Sequence, residues 1–150
     1  MRSVAILIGA EFDMPLMPWT EDLSVGVEEL DADHRQLFAM VNALFDAVEG
    51  GSSGDLLAAF FDALVDYTRD HFAREEALMA ACHYPGLPSH RMEHFQLAER
   101  GHQLRGQFLL GDAEPVSRDL LGLFNGWLTT HIRITDGAYI GCVGVGAAGN

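Results

Sequence analysis

The sequence predicts an all-α protein, an antiparallel up-down four-helix bundle with an N-terminal arm. Three observations predict it. Four segments repeat apolar residues at helical spacing. Short Gly- and Pro-rich breaks separate these segments, so successive helices are antiparallel neighbours. The 150 residues are 49% hydrophobic, enough for one domain around one core.

The first predicted helix runs from Asp31, a candidate N-cap, to Glu49, and Gly50-Gly51-Ser52-Ser53-Gly54 ends it. Its stripe is Phe38, Val41, Phe45 and Val48, which His34 extends by one turn. The second runs from Asp55 to Ala81, with Phe60, Leu64, Thr68, His71, Glu75, Leu78 and Met79 on one face; Tyr84-Pro85-Gly86-Leu87-Pro88 breaks it. The third opens near Ser89, another candidate N-cap, and fades by Gly111, with His90 and His94 leading into Leu97, Leu104 and Phe108. The fourth opens near Pro115, a residue suited to a first helical turn, and Leu120, Phe124, Trp127 and Leu128 lead into His131. Three parts follow: an extension over 1–14, the bundle over 15–140, and a loose Gly-rich tail over 141–150.

Polar groups interrupt every stripe, and a polar group on a core face costs free energy unless something satisfies it. The interruptions are His34, His71, Glu75, His90, His94, His131 and Asp136. In a bundle of alternating direction, the start of the first helix, the end of the second, the start of the third and the end of the fourth share one end. All seven residues therefore converge there. Taken singly, an H-x-x-x-E or H-x-x-x-H pair is ordinary on a helix; the convergence of all of them points to a metal site.

Imidazole and carboxylate together suit iron, zinc, copper or manganese, and the lack of Cys ligands argues against an iron-sulfur cluster. Five His and two carboxylates exceed one metal. Divided between two, with both carboxylates shared, they leave one position open. Asp136 follows His131 by five residues, which on a regular helix rotates it by about 140°. Either the helix distorts there, for instance in a π-bulge, or Asp136 arrives from another angle.

Other features exclude functions. Net charge is -13, with nine Arg and no Lys, which disfavours nucleic acid and anionic membrane surfaces. The apolar run Val4 to Ala10 is too short to span a bilayer and makes a weak signal peptide. Cys82 and Cys142 stand in no metal spacing and are expected as two reduced thiols of a cytoplasmic protein. His83, His102, Arg69, Arg74, Arg91 and Glu76 are expected on loops or solvated faces.

The stretches W-T-E-D-L-S-V-G-V at 19–27, L-D-A-D-H at 30–34, Y-T-R-D-H-F-A-R-E-E at 67–76, H-R-M-E-H-F at 90–95 and W-L-T-T-H-I-R-I-T-D at 127–136 resemble the hemerythrin family, in particular its bacterial members. The resemblance spans roughly residues 15–140, and the family pattern also places its Asp five residues after its last His. It implies a non-haem di-iron cofactor of two iron ions (Fe2+/Fe3+). One iron would be held by His90, His94 and His131, the other by His34 and His71; Glu75, Asp136 and an oxo or hydroxo group would bridge them. It further implies dioxygen as the ligand, bound reversibly at the open position for storage, delivery or buffering, with Phe72, Trp127, Leu128 and Ile132 lining the pocket. No catalytic residue is expected on this reading, and the sequence names no protein partner. The alternatives are a di-iron redox enzyme acting on peroxide, dioxygen or nitric oxide, and an oxygen or redox sensor. A proton donor beside the site, from Thr130 or Tyr139, would favour the enzyme.

Overall fold

The computed structural model describes residues 17–52, 54–111, 126 and 129–147. The expected extension over 1–14, most of the fourth predicted helix, and the pocket candidates Trp127 and Leu128 lie outside the described residues. The fold is an all-helical four-helix bundle, with no strand among the described residues. Helix α1 is Glu28–Glu49, α2 is Gly54–Ala81 and α3 is Leu87–Leu109. The fourth bundle helix is described at its end, where residues 129–130 run into a π-helical turn, His131–Asp136. A 3-10 turn, Gly137–Tyr139, and helix α4, Ile140–Ala147, follow. Among the described residues no helix is long and apolar enough to cross a membrane.

The helix ends explain the connections. Gly51 takes φ +69° while Gly51 and Ser52 donate their N–H groups to the carbonyls of Val48 and Ala47, a Schellman ending for α1. His83 takes the same left-handed position after α2 at φ 57°, with His83 and Tyr84 donating to Ala80 and Met79. At Gly86 a Cβ would come within 2.6 Å of the Tyr84 ring, so a larger residue there would displace that ring.

Two expected caps are corrected. Helix α1 begins at Glu28, ahead of Asp31, and the buried Asp31 carboxylate instead accepts the Val25 N–H at 2.8 Å and the Ser24 hydroxyl at 2.5 Å. It thereby holds the arm rather than the helix end. Helix α3 begins at Leu87, which leaves Ser89 inside its first turn.

The core joins Leu30, Leu37, Val41 and Leu44 of α1 to Phe61, Leu64 and Met79 of α2, Leu104 of α3, and Ile132 and Tyr139. The buried α1 stripe thus runs through Leu37 and Leu44, with Phe45 and Val48 only half-buried. The arm lies on the bundle. Asn42 exchanges two hydrogen bonds with the Met17 backbone, at 2.8 and 3.0 Å. Trp19 packs edge-on against Phe38 and lies over His34, its ring 6.5 Å from the imidazole.

The Gly-rich stretch from 141 departs from expectation. Residues as far as Ala147 are helical, Val143 is buried, and Cys142 is bonded to Cys82 in a disulfide with a Cα separation of 5.8 Å. The expectation of two reduced thiols is therefore corrected. Cys82 closes α2, and α4 returns along that helix, which brings the two sulfurs together.

Candidate metal centre

All seven predicted ligands are buried and meet at one end of the bundle. His34 comes from the second turn of α1, His71 and Glu75 from α2, His90 and His94 from the start of α3, and His131 and Asp136 from the π-helical turn. The i, i+4 pairs on α2 and α3 present both members to one face. The π-turn resolves the five-residue spacing, because its wider helical turn returns position i+5 to the face of position i. His131 Nε2 consequently lies 2.9 Å from Asp136 Oδ1.

Two groups of donor atoms share a residue. Glu75, His90, His94, His131 and Asp136 form one; His34, His71 and Glu75 form the other. The Glu75 carboxylate lies 2.9 Å from His94 Nε2, 3.2 Å from His90 Nε2 and 3.8 Å from His71 Nε2. Asp136 lies 3.2 Å from His90 Nε2 and 3.3 Å from His34 Nε2. The two carboxylates therefore stand between the imidazoles of both groups.

An outer layer fixes the rings. His71 Nδ1 meets Asp33 at 3.0 Å, His94 Nδ1 meets Glu76 at 2.8 Å and His131 Nδ1 meets Glu93 at 2.9 Å. A ring that donates through Nδ1 carries its lone pair on Nε2, and all three Nε2 atoms face inward. Asp33 is itself held by both Arg74 Nε and Nη2 at 2.8 Å and by the Tyr67 hydroxyl at 2.9 Å. Arg91 reaches Glu76 at 3.1 Å. These acids are what the sequence reading missed. Glu76, expected in solvent, is corrected to a partly buried His94 partner; Arg74 and Arg91 lie at the solvated surface as expected and reach Asp33 and Glu76 from there. The available signal was an acid on the helix face beside each ligand, which looks the same as an ordinary solvated acid.

Tyr139, fully buried, donates its hydroxyl to Glu75 Oε1. Thr130 instead donates to the Gly126 carbonyl at 2.7 Å and is exposed. Of the pocket candidates, Ile132 is buried, and Phe72 stacks on His94 with ring centroids 3.8 Å apart and planes 7° apart. Phe72 and His94 also line an apolar groove of about 390 Å³ between α2 and α3, with Phe61, Leu64 and Phe95.

The electrostatics show what the donor set lacks. Burial raises Glu75, and the charge of Asp136 raises it further, yet the close imidazoles of His90 and His94 outweigh both and hold it at about 2. Burial likewise opposes ionisation of Asp136, and His131, His34 and His90 bring it well below its ordinary value. Burial lowers His90, but Asp136 and Glu75 lift it to about 9. Burial lowers His71, only partly offset by Glu75. Without a cation, protons must sit between these carboxylates and rings.

Even so, both Asp136 oxygens, both nitrogens of His34 and Nε2 of His94 make no well-formed hydrogen bond. Buried polar atoms are normally paired. Ring lone pairs opposite carboxylate oxygens at 2.9–3.3 Å repel one another unless a cation lies between them. The nitrogen and oxygen donors and the orphaned atoms fit a transition metal such as iron.

The chain is similar to known proteins over most of its length. The model of the hemerythrin HHE cation binding domain matches residues 25–143. Bacteriohemerythrin of Pseudomonas paraeruginosa (strain DSM 24068 / PA7) is 35% identical over 130 residues, 87% of this chain and 83% of that protein. Bacteriohemerythrin of Methylococcus capsulatus (strain ATCC 33009 / NCIMB 11132 / Bath) is 34% identical over 131 residues, 87% of this chain and 98% of its own length. The crystal structure of wild-type hemerythrin is similar at a TM-score of 0.78 and 33% identity, covering 85% of this chain and 98% of that one.

Proposed function

The chain belongs to the hemerythrin family, and on that premise we propose that it binds dioxygen reversibly at a non-haem di-iron centre. The observation that carries this reading is the division of seven buried ligands into two groups sharing Glu75, with Asp136 reaching both His90 and His34. His90, His94 and His131 would hold one iron, His34 and His71 the other, with Glu75 and Asp136 common to both. When bound, the iron would supply a redox-active centre that can take a small ligand.

The chain's own residues prepare that centre. Asp33, Glu76 and Glu93 hold the rings with Nε2 inward. Phe72 and Ile132 present apolar surface beside the ligands and exclude water. Tyr139 orients Glu75 from the far side.

Hemerythrins are oxygen-binding proteins rather than enzymes, and the hydroxyls support the same reading here. The Tyr139 proton is committed to Glu75, and burial raises its pKa. The Thr130 hydroxyl is committed to a backbone carbonyl. Neither is poised to protonate a bound ligand, which an enzyme acting on peroxide would need.

The test is iron per chain with visible spectra of the anaerobically reduced protein, after dioxygen and after its removal. Two irons and an absorption band that comes and goes with dioxygen are expected. Two irons with irreversible oxidation would favour the redox-enzyme or sensor alternative, and no bound iron would overturn the reading.

A further inference from the structure

The disulfide lies outside the ligand set but is covalently close to it. Cys82 is seven residues, two helical turns, after Glu75 on α2. Cys142 is three residues after Tyr139. The Cys82–Cys142 bond therefore ties together the two elements that meet in the Tyr139–Glu75 hydrogen bond. Tyr139 also packs against the Tyr84 ring at 6.3 Å and the His90 ring at 5.6 Å, so its position is felt by one ligand directly and by another through Glu75. Neither cysteine is fully buried.

We propose that Cys82–Cys142 is a reversible thiol-exchange site, and that its oxidised form clamps Tyr139 as a positioning residue for Glu75. The substrate class is a dithiol reductant. A thiolate of that dithiol attacks one sulfur and breaks the Cys82–Cys142 bond; its second thiol resolves the mixed disulfide. Two electrons and two protons pass to the protein, which gains two thiols, and the dithiol leaves as its own disulfide. The reverse exchange restores the clamp.

Once reduced, the 137–147 segment is held only by packing and hydrogen bonds such as Tyr139 to Glu75, with no covalent tie across to α2. The Tyr139 donor to Glu75 Oε1 then lacks the covalent tie that fixes its position. An outer partner of a metal ligand is worth about 10–100-fold in metal affinity. Reduction should therefore speed metal loss about tenfold, while the seven ligands themselves are unchanged.

The proposal rests on the metal-centre reading, and the experiment separates the two. Full-length protein is prepared oxidised and dithiol-reduced, with free thiols counted in each. Iron release to a chelator is timed, and the tyrosine ultraviolet signature is recorded on metal-free protein. Tyr139→Phe and Cys142→Ser accompany the wild type. Reduction of the wild type and Cys142→Ser should each speed release about tenfold and shift the tyrosine signature. Tyr139→Phe should release fast in both thiol states, with no further response to reduction. Equal release and an unchanged signature on reduction overturn the clamp, as does a Tyr139→Phe variant that still responds to reduction. If no preparation binds iron, the metal reading fails, and the tyrosine signature still decides whether the disulfide sets Tyr139.

Discussion

Replacing Asp33 by Ala tests whether the outer acids aim the ligands or merely hold helices together. Asp33 accepts from His71 Nδ1 at 3.0 Å, from Arg74 Nε and Nη2 at 2.8 Å each, and from the Tyr67 hydroxyl at 2.9 Å. Burial alone would raise its pKa, but Arg74, His71 and Tyr67 together hold it at about 2, so it is ionised throughout the neutral range. The Arg74 side chain is 37% exposed and regains water when Asp33 is lost, so its share of the energy is small. His71 is 3% exposed, and its Nδ1–H would be left buried without an acceptor, costing about 1–3 kcal/mol. The half-buried Tyr67 adds about 1 kcal/mol. The metal-free protein should therefore lose about 2–4 kcal/mol in urea unfolding. Chelator competition should show a further loss of about 10–100-fold in metal affinity, because the His71 ring is no longer fixed. Asp33→Asn keeps an oxygen that can accept from Nδ1–H, so it should recover most of the affinity without the Arg74 ion pair. Reduced stability with wild-type metal affinity in Asp33→Ala would refute the aiming role and leave Asp33 as a brace between α1 and α2.

Four further outcomes follow from the same geometry. Glu75→Ala removes the residue common to both donor groups, so iron should fall toward zero rather than one per chain; full loading would show the site is misassigned. His90 is lifted from 6.5 to about 9 by its carboxylates, so its contribution to metal-free stability is complete below pH 6.5 and is lost as pH rises through about 9. The urea midpoint of metal-free protein should fall across that window, and a flat or rising midpoint would contradict the pairing. Phe72→Ala should cost about 3–5 kcal/mol and hasten autoxidation as water reaches the His94 side; unchanged autoxidation would remove Phe72 from the pocket. Cys142→Ser frees a loop closed across a separation of 60 residues and should lower unfolding stability by about 4 kcal/mol; a change under about 1 kcal/mol would mean that the unfolded chain gains little from losing the cross-link.

The burial and convergence of the seven donor residues are legible because metal-ligating side chains on a core stripe have no cheap alternative explanation. His34 continues an apolar face, and His71 and Glu75 interrupt one, so periodicity alone placed them inside. The outer acids were not legible for the converse reason. Glu76 is one residue, about 100°, from Glu75, and a helical wheel assigns it to solvent. Only the orientation of the His94 ring, whose Nδ1 points away from the centre, brings Glu76 back to it. The pairing of Cys82 with Cys142 depends on α4 returning along α2. Glycine composition argues against that helix, since each Gly costs about 1 kcal/mol relative to Ala. Burial of Val143 and the covalent tie to Cys82 oppose that cost.

The turn from His131 to Tyr139 shows how backbone geometry settles what residue type leaves open. On a continuous α-helix, Asp136 would sit about 140° and Tyr139 about 80° around the axis from His131. Neither angle brings all three groups to one metal centre. The π-turn His131–Asp136 returns Asp136 to the face of His131. The 3-10 turn Gly137–Tyr139 follows, and in that geometry residues three apart eclipse, so Tyr139 lines up with Asp136. Two departures from the α-helix in succession thus place His131, Asp136 and the donor to Glu75 on one line. The five-residue spacing from His131 to Asp136 required the first departure. The second is required only if Tyr139 must reach Glu75, and the hydrogen bond between them supplies that requirement.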